Sequence, residues 1–429
     1  MKSILHYLWI LVFFILINGP ITRAQTQLTT TPNASPKAWV GQTIGLTDVK
    51  VVYYRPAVKD REVWGKLVPM NTVWRAGAND NTVIKFSDDV KIEGQELKAG
   101  VYGLHIIPSE EESTIIFSNN STAWGSFSYT PDEDALRVTV KNQKAGHFYE
   151  FLTFEFEQLT PTSAVCALNW EKKKFAFSIE TNTHEVVLAN SRKELQNKAG
   201  WSWQGWNEAA NYCLQNDINH KEALAWANRS VFISPTPQNM LTKARLVAKA
   251  KGGYDEEATI LATLDDDLKK LNVTWKEYNG AANYALKKEN YDQALAWADK
   301  AIEMSPNMTS MMAKANILTA KGDEKSAKKV KMAAIEKGTN AELNNYGYQL
   351  LFSGKTGEAV EIFLANTEKN PTDPNVWDSL GEGYYNHGEK EKAIKAFKKS
   401  LSLDPPANVK ANSLKILKQM GVEYEKIKP

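Results

Sequence analysis

The chain reads as a two-domain protein, all-β and then all-α: an antiparallel β-sandwich followed by an α-helical solenoid. Three observations predict this. Between Val49 and Glu180, short apolar runs alternate with polar residues at period two. From about residue 204 the periodicity becomes helical, and a pattern recurs every 34 residues until about residue 407. The length of 429 residues exceeds what one ordinary domain holds.

The first residues carry Lys2, an apolar run from Leu8 to Ile17, a break at Asn18, Gly19 and Pro20, and small residues at Thr22 and Ala24. That layout predicts an export signal over 1–24, with the mature chain starting at Gln25. The apolar run is too short to span a bilayer, which needs about 20 residues. No membrane span is expected after its removal, and the compartment expected is the periplasm or the outside of a Gram-negative-type cell.

The β domain is expected over 25–190. Its strands are read at 49–54, 82–86, 90–93, 101–107, 113–117, 136–140, 151–157, 164–170 and 175–180, with Gly94 turning the hairpin between the third strand and Gln95. Leu152, Phe154 and Phe156 alternate with polar residues, as do Phe175, Phe177 and Ile179. Many short strands with few helical patterns indicate a sandwich.

One stretch inside this domain concentrates unusual chemistry. Residues 73–82 read VWRAGANDNT. Gly77 is expected to supply the positive φ of a tight turn, and Asn79 or Asn81 to cap it with side-chain bonds to the backbone. Arg75 brings five donors on a flat face, suited to a carboxylate or phosphate, or to stacking on Trp74 or Trp64. The loop therefore has two readings. In one it only braces itself. In the other it binds a ligand: Arg75 takes an anion, Asn79 and Thr82 orient it, Trp74 forms an apolar floor, and Arg55 and Arg61 support them.

The catalytic candidate is His105. It shares a strand face with Val101 and Gly103, opposite Tyr102, Leu104 and Ile106. Set against the 73–82 loop, it would act as a general base, with Asp134 and Arg137 behind it. No metal is expected, because no His or Cys pair has ligand spacing, and no phosphate-binding glycine loop appears. No cofactor is implied, and the residues favour binding over catalysis.

The segments YYRPAVKDREVWGKLVP, VWRAGANDNT and LKAGVYGLHIIP, in that order, resemble the domain of unknown function (DUF) 2911 family over residues 35–185. The resemblance implies an exported bacterial protein, supplies a fold expectation and names no activity.

In the second half, WDSLGEGYYNHGEKEKAIKAFKKSLSLDP places Trp377, Leu380, Gly381, Tyr384, Gly388, Ala393, Phe397 and Pro405 at the spacing W-x2-L-G-x2-Y, A-x3-F, P. It resembles the tetratricopeptide repeat. Gly347, Gly354, Ala359, Phe363 and Pro371 stand 34 residues earlier, and Ala294, Ala298, Ala301 and Pro306 repeat the second-helix pattern. Six units are expected over 204–407, after a linker at 191–203 and before a capping helix at 408–429. The units near 238–271 and 309–339 are degenerate, and the second is short by about three residues.

Such arrays stack because no unit buries its apolar face alone, and they leave a concave surface lined by first helices. By register that lining includes Tyr212, Asn279, Asn283, Asn344, Tyr348, Asp378, Glu382, Tyr385 and Asn386. Asn side chains pair with backbone amides and Tyr rings give contact area, so an extended peptide or protein segment is the partner expected. The subclass that clamps a chaperone's C-terminal carboxylate uses Lys early in the first helix. Here Asn279 and Asn344 stand in that place, which speaks against that partner.

Composition supports globular protein, with 43% hydrophobic and 24% charged residues. Residues 25–190 carry a net −4 and residues 191–429 a net +4. Neither half has the dense basic face that nucleic acid requires. The two cysteines, Cys166 and Cys213, read as buried free thiols. The expected function is an exported scaffold for protein–protein interaction. The alternative is a small-molecule-binding or hydrolytic β domain around residues 73–82, recruited to a complex by the solenoid.

Overall fold

The computed structural model describes residues 31–252 and 255–423. The expected export signal lies outside them. The chain divides into two compact units, Met1–Asn190 and Ser191–Pro429.

The first unit has ten described strands: β1 (Lys37–Ile44), β2 (Thr47–Tyr54), β3 (Val83–Phe86), β4 (Val90–Ile92), β5 (Gln95–Leu97), β6 (Gly100–Ile107), β7 (Glu112–Ser118), β8 (Asp134–Lys141), β9 (Gln143–Glu157) and β10 (Ser163–Thr181). They form a six-stranded sheet, β1-β2-β3-β6-β7-β8, and a four-stranded sheet, β5-β4-β10-β9. Every strand pair in both is antiparallel.

Alternation decides which face of each strand is apolar. Val49 and Val51 of β2, Ile84 and Phe86 of β3, and Leu104 and Ile106 of β6 pack into one core with Ile92, Leu152, Phe154, Leu168, Phe175 and Phe177 of the other sheet. Each fully buried large side chain contributes about 1.5–3 kcal/mol. The two sheets make a sandwich.

Two strands differ from expectation. Segments 164–170 and 175–180 are one strand, β10, because the polar run Glu171–Lys174 forms a bulge and not a turn. The register shifts on either side of Glu171, which sits at φ +54°. β1 escaped notice because it is an edge strand whose residues are mostly exposed or half-buried, with little apolar alternation to read.

The second unit is helical. Helix α1 (Thr183–Glu194) crosses the division between the units. Its last turn and a 3-10 turn at Lys198–Trp201 occupy the segment expected as a linker. Six helical hairpins follow: α2 (Trp203–Gln215) with α3 (His220–Ile233), α4 (Pro237–Lys251) with α5 (Glu256–Lys270), α6 (Trp275–Lys287) with α7 (Tyr291–Met304), α8 (Met308–Lys321) with α9 (Glu324–Lys337), α10 (Asn340–Phe352) with α11 (Thr356–Lys369), and α12 (Pro374–Asn386) with α13 (Lys390–Ser402). Helix α14 (Ala407–Gln419) packs on α12 and α13. No described helix is long and apolar enough to cross a membrane.

The helix starts are written locally. Thr236 with Asn239, Thr274 with Glu277, Asn307 with Ser310, and Thr339 with Glu342 form capping boxes at α4, α6, α8 and α10. Within a hairpin, a small residue meets a large ring. A Cβ on Gly347 would come within 2.4 Å of the Phe363 ring, and one on Gly381 within 2.7 Å of Phe397. Gly381→Ala is therefore expected to cost about 1–3 kcal/mol through overpacking. Urea unfolding of the full chain checks this, and an unchanged midpoint would show that the two helices have room to separate.

Candidate functional site

First helices α2, α4, α6 and α8 pack on one another in turn, and so do α10 and α12, but contact between α8 and α10 is sparse. The apolar core changes partners along α8. Ile317 of α8 joins the cluster of the preceding units, whereas Met308 and Met312 join that of the following ones. The A-x3-F pattern explains the break. Where Ala359 is followed by Phe363, Ala327 of α9 is followed by Lys331. A Lys cannot fill the apolar slot, and its Nζ reaches Glu358 at 3.5 Å and Glu361 at 3.6 Å on α11. Lys369 of α11 answers by donating to the last carbonyls of α9, Glu336 at 2.8 Å and Gly338 among them. Polar contacts thus join α9 to α11, while Met308, Met312 and Ala334 of unit four share an apolar cluster with Leu343 and Leu350 of unit five.

A cavity of ≈ 410 Å³ occupies this seam. Its floor is apolar: Met308, Met312 and Ala313 of α8, and the Tyr346 ring of α10. Five carboxamides surround it, Asn279 and Asn283 from α6, Asn316 from α8, and Asn345 and Gln349 from α10. None of the five makes a side-chain hydrogen bond among the described residues, and Asn279 Oδ1 is buried without a donor. Glu342, the one ionisable carboxylate on the lining, is already held by the Thr339 N–H at 3.0 Å and its hydroxyl at 2.8 Å. Carboxamides each present an acceptor and two donors, the complement of a peptide unit.

Of the first-helix positions read from the sequence, Asn279 and Asn283 line this cavity. On α10 the lining falls one residue further round. Asn345 and Gln349 face the cavity, while Tyr348 packs on Phe363 and donates to Ser379 at 3.3 Å, and Asn344 is half-buried with an unpartnered Oδ1. The open seam exposes a side of α10 that close stacking would cover. Asp378 is 5% exposed, because α14 lies over it and Asn412 donates to it at 2.9 Å. Asn412 also donates to Glu382, and burial pushes both carboxyls above their ordinary range. Tyr385 and Asn386 are exposed on α12, and Tyr212 is half-buried on α2; none of the three lines the cavity.

In the first unit, most of the 73–82 loop braces itself. The Trp74 main chain exchanges two 2.8 Å hydrogen bonds with Ile106, sending its indole into the core, stacked on Trp170 and edge-on to Trp64. The indole also donates to the Gly77 carbonyl at 3.1 Å. Thr82 is fully buried and donates to the Ala76 carbonyl at 3.1 Å. Asn79 donates to the Ser35 carbonyl and Asn81 to that of Asn120, both at 3.3 Å. Positive φ falls on Ala76 and Asn79, not on Gly77. Gly77 is required for space: a Cβ there would lie 2.7 Å from Thr82 Oγ1.

The supporting arginines are also committed to structure. Arg55 donates to the Leu152 carbonyl at 2.9 Å and to Thr153 at 2.7 Å, and Arg61 to the carbonyls of Val58 and Ala57. Arg75 differs. Its side chain leaves Trp74's strand-like segment on the opposite face, toward His105, and has no hydrogen-bond or ion-pair partner among the described residues. Burial without a counter-charge lowers its pKa.

His105 is 2% exposed on the outer face of the six-stranded sheet, beneath the loop 119–133. Its Nδ1 lies 2.9 Å from Ser126 Oγ, and its ring packs at 5.3 Å from Tyr129, whose hydroxyl donates to Asp134 at 2.9 Å. Arg137 pairs with that same Asp134. A sealed imidazole holding a loop down does not present a base to a substrate. Burial also depresses His105 to about 4, so the fold favours its neutral form.

The linkage follows from that depression. Above about pH 6.5 the ring is neutral in both states and contributes nothing. As pH falls toward 4 the unfolded state takes up a proton that the folded state resists, and about 3 kcal/mol of stability is lost. His105→Gln is expected to flatten this part of the stability–pH curve. Unfolding of both proteins between pH 7 and about 4 checks it, and parallel curves would count against a depressed His105.

Cys166 and Cys213 are buried and free, and burial pushes Cys213 up to about 11. No group of three or more His, Cys, Asp or Glu side chains that could hold a metal ion is gathered among the described residues.

Comparison with known proteins agrees with this division. Residues 35–179 match the family described as a protein of unknown function (DUF2911), and residues 278–308 and 374–407 match tetratricopeptide repeats. Proteins named Superkiller complex protein 3 are 27% identical over 141 residues in Mus musculus and over 125 residues in Homo sapiens. These cover 33% and 29% of this chain but only 8% and 7% of the relatives' own length. Among solved structures, YrrB, described as a TPR protein with an unusual peptide-binding site, is 19% identical over 53% of this chain and 97% of its own, at a TM-score of 0.21. A tetratricopeptide repeat protein from Parabacteroides merdae is 18% identical over 55% of this chain and 90% of its own, at 0.26. The first unit is therefore similar to the DUF2911 family, and the second carries tetratricopeptide repeats.

Proposed function

We propose that this chain is an exported scaffold that captures an extended segment of a partner protein in the seam between α8 and α10. The observation that carries the reading is the set of five partnerless carboxamides over an apolar floor. An extended peptide satisfies them through its own N–H and C=O groups, while a side chain fills the space above Met308 and Met312. The lining holds no uncommitted charge, so recognition rests on backbone pairing and shape and not on electrostatic steering. The tetratricopeptide pattern supports the same role, since such arrays present first helices as binding surfaces. Export is proposed from the N-terminal pattern of Lys2, the Leu8–Ile17 run and the small residues at Thr22 and Ala24.

The test is selection of short random-sequence peptides on the full chain, followed by titration of the enriched peptides. The double substitution Asn283→Ala and Asn345→Ala should weaken binding about tenfold. Binding should vary little with salt, and methylation of the peptide's main-chain amides should abolish it. Peptides that bind the doubly substituted protein as tightly as wild type would place recognition elsewhere on the solenoid. For export, production in a Gram-negative bacterium and N-terminal sequencing should give a chain beginning at Gln25; an intact Met1 terminus would refute it.

A further inference from the structure

We propose that Arg75 binds the oxyanion of a small organic molecule, a carboxylate or a phosphate, whose flat apolar body lies on the exposed Trp124–Phe127 pair. The site is in the first unit and is independent of the groove reading. Three observations meet there.

The first is the guanidinium itself. It is half-buried, its Nε is shielded from solvent without an acceptor, and no carboxylate pairs with it among the described residues. Arg55 and Arg61, by contrast, each donate two hydrogen bonds to backbone or side-chain acceptors. A buried donor with no acceptor is costly, so the Nε of Arg75 calls for one.

The second is the backbone above it. Gly125, at φ +75°, lets the loop approach the guanidinium, since a Cβ there would lie 3.1 Å from Arg75 Nη1 and 3.2 Å from the edge of the Phe127 ring. The Ser126 hydroxyl, held by His105, belongs to the residue that follows Gly125.

The third is the aromatic pair flanking that glycine. Trp124 and Phe127 stack with centroids 5.8 Å apart, yet are 66% and 82% exposed. Aromatic rings left in water beside an unpaired cation suit a ligand with a flat body and an anionic end. Trp124 also lines a cavity of ≈ 420 Å³ with Tyr54 and Asn81, whose lining does not include Arg75 or Phe127. Lys37 and Asp80 both stand on that wall, and Asp80 accepts from the Tyr54 hydroxyl at 2.9 Å.

The experiment is isothermal titration of the full chain with benzoate, phenyl phosphate and uncharged benzyl alcohol. Saturable binding of either anion, with none of the alcohol, is expected, and the preferred anion distinguishes carboxylate from phosphate. Arg75→Met should weaken binding roughly tenfold or more while melting no lower than wild type, because it removes an unpaired charge and keeps the stem. Phe127→Ala should weaken binding without altering the melting temperature, its ring being in solvent. Failure of both anions to bind wild type at millimolar concentration overturns the proposal, as does undiminished binding to Arg75→Met.

Discussion

The last two hairpins of the solenoid depend on one contact, a residue without a side chain set against an aromatic ring. Gly347 against Phe363 and Gly381 against Phe397 bring the two helices of a hairpin closer than any Cβ would allow. That distance fixes how much of each hairpin's apolar face is left for the next unit. Alanines extend the rule where rings are absent: Ala282, Ala285, Ala294, Ala298 and Ala301 are all fully buried between α6, α7 and their neighbours. The capping boxes then set where each first helix begins, so that the small residues arrive in register.

The seam between α8 and α10 lies beside a unit whose second helix lacks that ring. Lys331 stands at the position held by Phe363 and Phe397 in the next two units and by Ala227 and Ala298 in earlier ones, and a cation is costly to bury there without a partner. It turns to Glu358 and Glu361, and the helices it would have drawn together stay apart. The neighbouring units are unaffected because stacking in such arrays is local. The cavity of the seam therefore coincides with a departure from the repeat, and three of its carboxamides, Asn316, Asn345 and Gln349, are exposed to solvent.

This also decides what the sequence could disclose. Repeat signatures report contacts made within a hairpin, so the helices and their pairing were legible from Gly347, Phe363, Gly381, Phe397 and the prolines. The lining depends on how one hairpin sits on the next, which the signature does not encode. Asn279 and Asn283 followed the regular register, whereas Asn345 and Gln349 replaced Asn344 and Tyr348 because α10 stands off from α8. Asp378 and Glu382 read as open groove, yet α14 covers Asp378 and both carboxyls are pinned by Asn412. In the β unit, alternation disclosed the core strands but not β1, which is mostly exposed, nor the bulge at Glu171, whose charged neighbours imitate a turn. Gly125, Ser126 and Phe127 carry no periodic signal, and only folding brings them to Arg75.

The same side-chain chemistry behaves differently in the two settings, and the difference separates scaffold from site. Asn239 and Asn366 are fully buried, yet each finds partners: Asn239 donates to Ser230 Oγ and the Ser234 carbonyl at 2.9 Å, and Asn366 to Asn340 Oδ1 at 2.9 Å. Asn412 closes the end of the array in the same way. Each satisfied amide returns about 1 kcal/mol and defines a single packing. Asn279 Oδ1 in the seam and Arg75 Nε lack that return, and an unmet buried polar atom costs about 1–3 kcal/mol. A fold that satisfies asparagines buried this deeply, and ties down Arg55 and Arg61 beside the 73–82 loop, does not lack the means to satisfy the others. Their unmet hydrogen bonds are stabilisation held back from folding, available to whatever molecule supplies the missing partners.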